Sequence, residues 1–364
     1  MSSWEAAHET AILRRARGFF QKGTARGVLL GLKSGLELAA VQSEGLRLLG
    51  RLAAGSTEVR HEIGRRGGIA AILGALHSHA AAADVQEWGL YALANLADAD
   101  VDNQHTLAGH GGIEAMCAAM AAYPGLPHVQ ECGCAALGSV AADHAANQRA
   151  VATKGGIGAV VAALHSQLDG VMPASPAVVE KACLALALLA AENPTNQTMI
   201  AQDAGGVRAI VESMRQHGQG ESPSGRVSPP LAAGGSSSSG GCNPNTCNQA
   251  PLKEACLALG NLAAQHQLNQ RVILAASGVE VVLGALKHHE DPPASTELQE
   301  RGWYLLYWLV DDEGATARIK RWGGRELAVR MRVFTALSAC LCGVVPQLLV
   351  MYQARHPGLH VHTG

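Results

Sequence analysis

The stretch VQEWGLYALANLA, residues 85–97, decides the fold because it recurs: VQSEGLRLLGRLA stands at 41–53 and VQECGCAALGSVA at 129–141, each 44 residues from the next. Self-similarity at a period of this size marks an array of units, each of which buries its apolar face only against its neighbours. The frame continues as VVEKACLALALLA (178–190), PLKEACLALGNLA (251–263) and LQERGWYLLYWLV (298–310), which makes six copies. One column reads Leu49, Leu93, Leu137, Leu186, Leu259 and Leu306, and three residues later it reads Leu52, Leu96, Val140, Leu189, Leu262 and Leu309. A three-residue step keeps both columns on one helix face, so each copy is a buried helix. Ala92, Ala136, Ala185 and Ala258 lie between them and let neighbouring helices approach closely.

Downstream of each copy stands an Asn-Gln pair, at 103–104, 147–148, 196–197 and 269–270, then a short apolar stretch and a glycine pair. The pairs are Gly67-Gly68, Gly111-Gly112, Gly155-Gly156, Gly205-Gly206 and Gly323-Gly324, with Ser277-Gly278 standing in once. Asn favours a helix start and Gly permits a sharp turn into the next helix. After the turn comes an apolar helix, as in GGIAAILGALHSH and GGIGAVVAALHSQ. The unit is therefore short helix, tight turn, helix, loop, longer helix. TARGVLLGLKS, 44 residues before GIAAILGALHS, is the middle helix of a first unit.

At this point the sequence resembles the armadillo repeat family, whose glycine turn, I-x-x-L/I-V-x-x-L helix and E-x-A-x-x-A-L-x-N-L-A helix are matched most closely from Val41 to Val310. The variant with Asn-Gln before the turn and Gly-Gly-Ile after it is similar to the armadillo domains of leucine-rich repeat kinases and of algal and protist armadillo proteins. The resemblance implies an all-α, right-handed armadillo-type α-solenoid (an ARM/HEAT superhelix) of about six three-helix repeats, over residues 7–325.

Composition agrees: hydrophobic residues make up 48%, aromatics only 4% and charged residues 16%, which suits a core of Ala, Leu, Val and Ile between closely spaced helices. A formal charge of -2 offers no broad attraction to phosphate backbones or anionic lipid, so neither nucleic acid nor a membrane is the expected partner. The opening residues show no apolar signal core, and nine scattered cysteines suit reduced thiols; a cytoplasmic or nuclear location is expected. Cys134, Cys183 and Cys256 occupy a repeated core slot held elsewhere by Leu46, Leu90 and Trp303, so packing explains them and no metal is expected. Cys242 and Cys247 lack further ligands for zinc. The scattered His, among them His77, His79, His165 and His217, fall where middle helices end, which suits the helix dipole. No Ser, His and acid constellation can be picked out, and the glycine pairs lack the Lys and Ser/Thr of a phosphate loop, so neither catalysis nor a cofactor or small-molecule substrate is expected.

Two segments break the register. The fifth unit carries a Gly, Ser and Pro-rich insert, residues 218–250, which is too polar to offset its chain entropy and is expected to be a disordered loop between the second and third helices. The tail, residues 326–364, is unusually apolar; it admits a terminal helix pair, a membrane span interrupted by Thr335, Pro346 and Gln347, or an erroneous gene model.

The armadillo resemblance implies that third helices line a concave groove, where a Trp and an Asn four residues later grip extended peptides. Those two positions read Arg47 and Arg51, Tyr91 and Asn95, Ala135 and Ser139, Leu184 and Leu188, Leu257 and Asn261, Tyr304 and Trp308. Only Asn95 and Asn261 keep the amide and no unit keeps the Trp, so the ladder of nuclear-import receptors is missing. The candidate partner-binding groove is Arg47, Arg51, Tyr91, Asn95, Ser139, Asn261, Tyr304 and Trp308; packing alone is the competing account, with Trp308 helping to cap the array. The function expected is a non-catalytic scaffold or adaptor for a protein or extended peptide. The alternative is a regulator of a small GTPase or protein kinase, which an acidic groove-facing cluster would favour; no such cluster is evident in the sequence. Deleting residues from about Gly218 to Asn248 with a short linker should leave helicity and melting temperature nearly unchanged. Circular dichroism checks this, and a large loss of helicity contradicts the reading of the insert.

Overall fold

The computed structural model describes residues 3–170, 174–203, 205–218, 249–288, 296–309 and 318–319. The chain divides into a body spanning Met1–Trp308 and a second unit, Leu309–Gly364, in which only residues 309, 318 and 319 are described. Among the described residues there are helices and no strands. The first unit is α1 (Ser3–Phe20), α2 (Ala25–Ser34) and α3 (Ala39–Gly55), and the second α4 (Thr57–Arg65), α5 (Gly68–Ser78) and α6 (Ala83–Ala97). The third is α7 (Val101–Gly109), α8 (Gly112–Ala122) and α9 (Pro127–Ala141), and the fourth α10 (Ala145–Thr153), α11 (Gly156–Ser166) and α12 (Pro176–Ala190). The fifth is α13 (Pro194–Thr198) with a π-helical turn (Met199–Asp203), α14 (Gly206–Gly218) and α15 (Gln249–Ala263). The sixth is α16 (Gln267–Ala275), α17 (Gly278–His288) and α18 (Thr296–Leu309).

This is the three-helix unit the repeat implies, and the third helices α3, α6, α9, α12 and α15 pack on one another in sequence order. The leucine columns form the core: Leu49, Leu93, Leu137, Leu186 and Leu259 are each 0% exposed, and Cys134, Cys183 and Cys256 are buried beside them. Leu52 alone is only half-buried in its column, and nothing in the structure accounts for it. The core residues stay closed because the glycine pairs do two different jobs. Gly67, Gly111, Gly155 and Gly205 take the left-handed conformation, with φ of 78°, 78°, 83° and 67°, and Ser277 takes it at 63°. Their partners lie against the preceding helix: a Cβ on Gly68, Gly112 or Gly278 would collide with Ile63, Leu107 or Ile273. The steric glycine is thus kept even where the conformational one has become Ser277.

The Asn-Gln pairs do not start their helices, contrary to the sequence expectation. The caps lie three residues earlier: Asp100, His144, Asn193 and His266 accept the backbone N–H of Asn103, Asn147, Asn196 and Asn269, at 3.0, 3.3, 3.1 and 3.3 Å. This frees the Asn and Gln side chains, all but Gln270 buried, for bonds between helices: the Asn to the preceding unit, the Gln to third-helix ends. Asn147 donates to the carbonyls of Val140, in the last turn of α9, and Gln104, in α7, at 2.9 and 3.3 Å. Asn103, Asn196 and Asn269 repeat the pattern toward Leu96 and Arg60, Leu189 and Gln148, and Leu262 and Gln197. The neighbouring Gln reaches forward: Gln104 to Ser139 O at 2.9 Å and Gln148 to Leu188 O at 2.9 Å. In the second unit Arg60 fills the Gln slot and donates to Ala53 O at 3.1 Å.

A second buried amide closes the other end of the unit. Gln42, Gln86 and Gln130, the Q of each VQ, donate to the last carbonyls of the middle helix: Leu32 and Gly35, Leu76 and His79, Met120 and Tyr123, all within 2.8–3.1 Å. Val179 and Leu252 replace this Gln in the fourth and fifth units. The histidine expected to serve the helix dipole at 79 instead bonds across units, its Nε2 2.7 Å from Leu36 O, and Tyr123 does the same to Ala80 O at 2.9 Å.

The fifth unit departs from the rest. Nine positions separate Asn196 from Gly205 where the other units have eight, and the π-helical turn Met199–Asp203 absorbs the extra residue. The Gly/Ser/Pro insert falls between α14 and α15 as the register places it, but Gly218, Gln249 and Ala250 belong to the flanking helices; the rest of it lies outside the described residues, as do Cys242, Cys247, His289, Gly323-Gly324 and the tail 326–364. No helix among the described residues is long and apolar enough to cross a membrane. With its side chain wholly enclosed, Leu93→Ala should cost about 2–5 kcal/mol in urea or guanidinium unfolding. A change within about 0.5 kcal/mol, as at an exposed site, would contradict the register.

Candidate functional site

Each third helix has one face turned to its neighbours and one row of partly exposed positions, spaced three and four residues apart. On α6 that row is Glu87, Trp88, Tyr91 and Asn95, all half-buried, and on α9 it is Glu131, Cys132, Ala135 and Ser139. Because the units stack in register, the rows lie side by side on the array.

Two tyrosines are seated by a rule the sequence hides. A Cβ on Gly50 would sit 2.5 Å from Tyr91 Cδ1, and one on Gly260 would sit 2.5 Å from Tyr304 Cδ1, so each ring lies against a glycine of the preceding third helix. The signal is present in sequence as a pair, Gly at the tenth position of one copy and Tyr at the seventh of the next. Trp88 meets Tyr91 edge to face, centroids 5.7 Å apart and planes at 90°. Trp88 is absent from the expected groove residues because it stands one turn before the position the family pattern singles out.

The other expected groove residues divide. Arg47 is held in a two-pronged ion pair with Glu44, at 2.8 and 2.7 Å, on the partly exposed side of α3, and Arg51 lies one turn further on. Asn95 Nδ2 donates to Tyr91 O in its own helix at 2.8 Å, and Ser139 is half-buried with its carbonyl held by Gln104. Asn261 serves the array: its Nδ2 donates to Ala187 O at 2.9 Å and its Oδ1 accepts from Tyr304 OH at 3.3 Å. Trp308, expected as a groove anchor, is 8% exposed and packs edge to face on Tyr304 and Tyr307 at 6.4 and 5.2 Å. It is thus largely enclosed within the array.

The charges correct another expectation. Acidic residues do share the third-helix face: Glu87, Glu131 and Glu180 hold the same position in successive units. Burial pushes the Glu87 carboxyl above the usual carboxylate range; His128 opposes this, while Asp84 and Glu131 add to it as like charges. Further along, acids are neutralised by neighbours: Lys181 on Glu180 at 2.9 Å, Lys253 on Glu297 at 2.7 Å and Arg301 on the buried Glu254 at 2.5 Å.

Burial also pushes the thiols of Cys134 and Cys183 well up and that of Cys256 to about 12, which leaves them as unreactive packing groups. Among the described residues no cluster of three or more His, Cys, Asp and Glu is placed to hold a metal ion.

No family model and no curated protein matches the chain. Solved structures do. A designed armadillo repeat protein is similar at 19% identity and a TM-score of 0.58, covering 78% of this chain and 98% of that one. Another designed armadillo repeat protein, in complex with the peptide (KR)4, is similar at 17% identity and a TM-score of 0.57, covering 78% and 98%. A structure of computationally designed armadillo repeat proteins for modular peptide recognition is similar at 19% identity and a TM-score of 0.55, covering 77% and 98%. At these identities the likeness bears on architecture, and together with the three-helix unit, the two-glycine turn and the stacked third helices it shows that this chain is an armadillo-type repeat α-solenoid.

Proposed function

We propose that the protein is a non-catalytic scaffold or adaptor that holds an extended peptide or protein segment along its third-helix face. The observation that carries this reading is the row of half-exposed side chains at α6 and α9, in which Trp88 and Tyr91 stand edge to face beside Glu87, Asn95 and Glu131. Aromatic side chains on a rigid helical platform are efficient anchors, since they offer large contact area and lose few rotamers on binding. An elongated array also presents surface in proportion to its length, which suits an extended partner. The two designed armadillo proteins described in terms of peptides add support by analogy of architecture. A cytoplasmic or nuclear setting belongs to the same proposal and rests on the buried, unpaired thiols.

A second reading, regulation of a small GTPase or protein kinase, draws on Glu87 and Glu131, which would suit a basic patch on a folded domain as well as a basic segment. A bound extended peptide and a folded domain are separated by whether proteolysed partner still binds.

Tyr91→Ala combined with Asn95→Ala should weaken binding of a partner recovered by pull-down more than tenfold, about 1.4 kcal/mol or above, with the circular dichroism spectrum unchanged. A partner that holds the double variant as tightly as the parent would move the site off α6.

A further inference from the structure

Along the third-helix face the charge and the polarity change from one half of the array to the other. In the first unit the acid is taken up internally, Glu44 by Arg47. In the fourth and fifth units Glu180 and Glu254 are each matched by a Lys or Arg of the array, whereas among the described residues no ion pair involves Glu300, at the Glu87 position of the sixth unit. In the second and third units, among the described residues no Lys or Arg is ion-paired with Glu87 or Glu131; Lys181 acts on Glu131 only at longer range, and His128 stands 3.7 Å from Glu131. Glu87 is half-buried, and burial raises its carboxyl's pKa, opposed by His128 and reinforced by Asp84 and Glu131.

The second unit holds an aromatic corner. Trp88 and Tyr91 meet at 90° with centroids 5.7 Å apart on the same partly exposed row of α6 as Glu87. A guanidinium or ammonium group over such rings gains from the ring quadrupole as well as from the carboxylate, and the gain grows as the site is desolvated. Ala135, half-buried, occupies the column that holds Tyr91 one unit earlier and Leu184 one unit later. Beyond it the character changes: Leu184, Leu188 and Leu257 are half-buried on the same face with their acids already paired.

We propose that the third-helix face reads an extended peptide of two-part character, with cationic side chains seated over Glu87, Trp88, Tyr91 and Glu131 and apolar side chains lying over Leu184 and Leu257. The proposal rests on the peptide-binding reading above and adds to it the chemistry of the occupant and its placement along the array. An uninterrupted basic peptide satisfies only the first half, and an uninterrupted apolar one only the second.

The test uses the full chain and three fluorescein-labelled peptides of equal length in fluorescence anisotropy: one alternating Arg and Gly then Leu and Gly, a second with Glu for every Arg, a third with Ser for every Leu. The parent should bind the first peptide at least tenfold tighter than either of the others. Glu87→Gln with Glu131→Gln, a nearly isosteric change, should weaken the first peptide about tenfold and flatten its salt dependence, and Trp88→Leu should weaken it too. Leu184→Gln with Leu257→Gln should weaken the first and second peptides but leave the third little changed. If the first peptide does not bind the parent, or binds no better than the second, the cationic subsite is overturned. It is equally overturned if the carboxylate variant binds the first peptide unchanged while the leucine variant loses it, an outcome that leaves the broader groove reading standing. If neither variant pair alters binding, the peptide lies off the third-helix face and both readings fall.

Discussion

The structure depends on a buried primary amide that each unit extends to two carbonyls of the unit before it. Asn103, Asn147, Asn196 and Asn269 each donate to the end of the preceding third helix and to the body of the preceding first helix. Helix ends leave carbonyls without intrahelical partners, and burying one unpaired costs about 1–3 kcal/mol. The amide therefore turns a local liability into the link between units. Apolar contact along the leucine columns supplies adhesion, but sliding one helix on another costs such contacts little; the amide fixes the register, since a shift by one residue would leave its donors and the helix-end carbonyl unpaired.

Register, once fixed, determines the binding face. Because every third helix presents the same positions at the same height, single substitutions write a pattern along the array. Gly50 and Gly260 seat tyrosines, Ala135 stands in the tyrosine column, and Leu184 and Leu257 provide an apolar run. The array also tolerates irregularity where it does not touch the amide links. The additional residue in the fifth unit is taken up in a π-helical turn after Asn196 and Gln197 have made their bonds, and the Gly/Ser/Pro insert separates α14 from α15 without disturbing the bond from Asn261 to Ala187 O.

The architecture was readable from the sequence because period, leucine columns and glycine pairs are properties of the chain taken one unit at a time. The misreadings concern bonds between units. Asn103 looked like a helix start because Asn caps helices, whereas the cap is Asp100 and the Asn is needed elsewhere. Gln86 carried no signal at all, although its repetition at 42 and 130 is as regular as that of the leucines. On the candidate face, Tyr91 and Asn95 were found by carrying over a family pattern, while Trp88 was missed because that pattern has no slot for it. Asn261 and Trp308 are engaged within the array: the amide bonds Ala187 O and Tyr304 OH, and the indole packs on Tyr304 and Tyr307. The ion pairs of Glu254 and Glu297 join helices one unit apart, which the sequence read one unit at a time does not show.

Denaturant unfolding of Asn147→Ala against the parent tests the central claim most directly, that amide links between units hold the array in register. Removing the side chain strands the helix-end carbonyl of Val140 in a buried site and removes the second bond to Gln104 O, so a loss of about 1–3 kcal/mol is predicted, with hydrogen exchange quickening in α7 and α9 together. A variant within about 0.5 kcal/mol of the parent, with exchange unchanged in both helices, would show that leucine packing alone sets the register and would contradict the account.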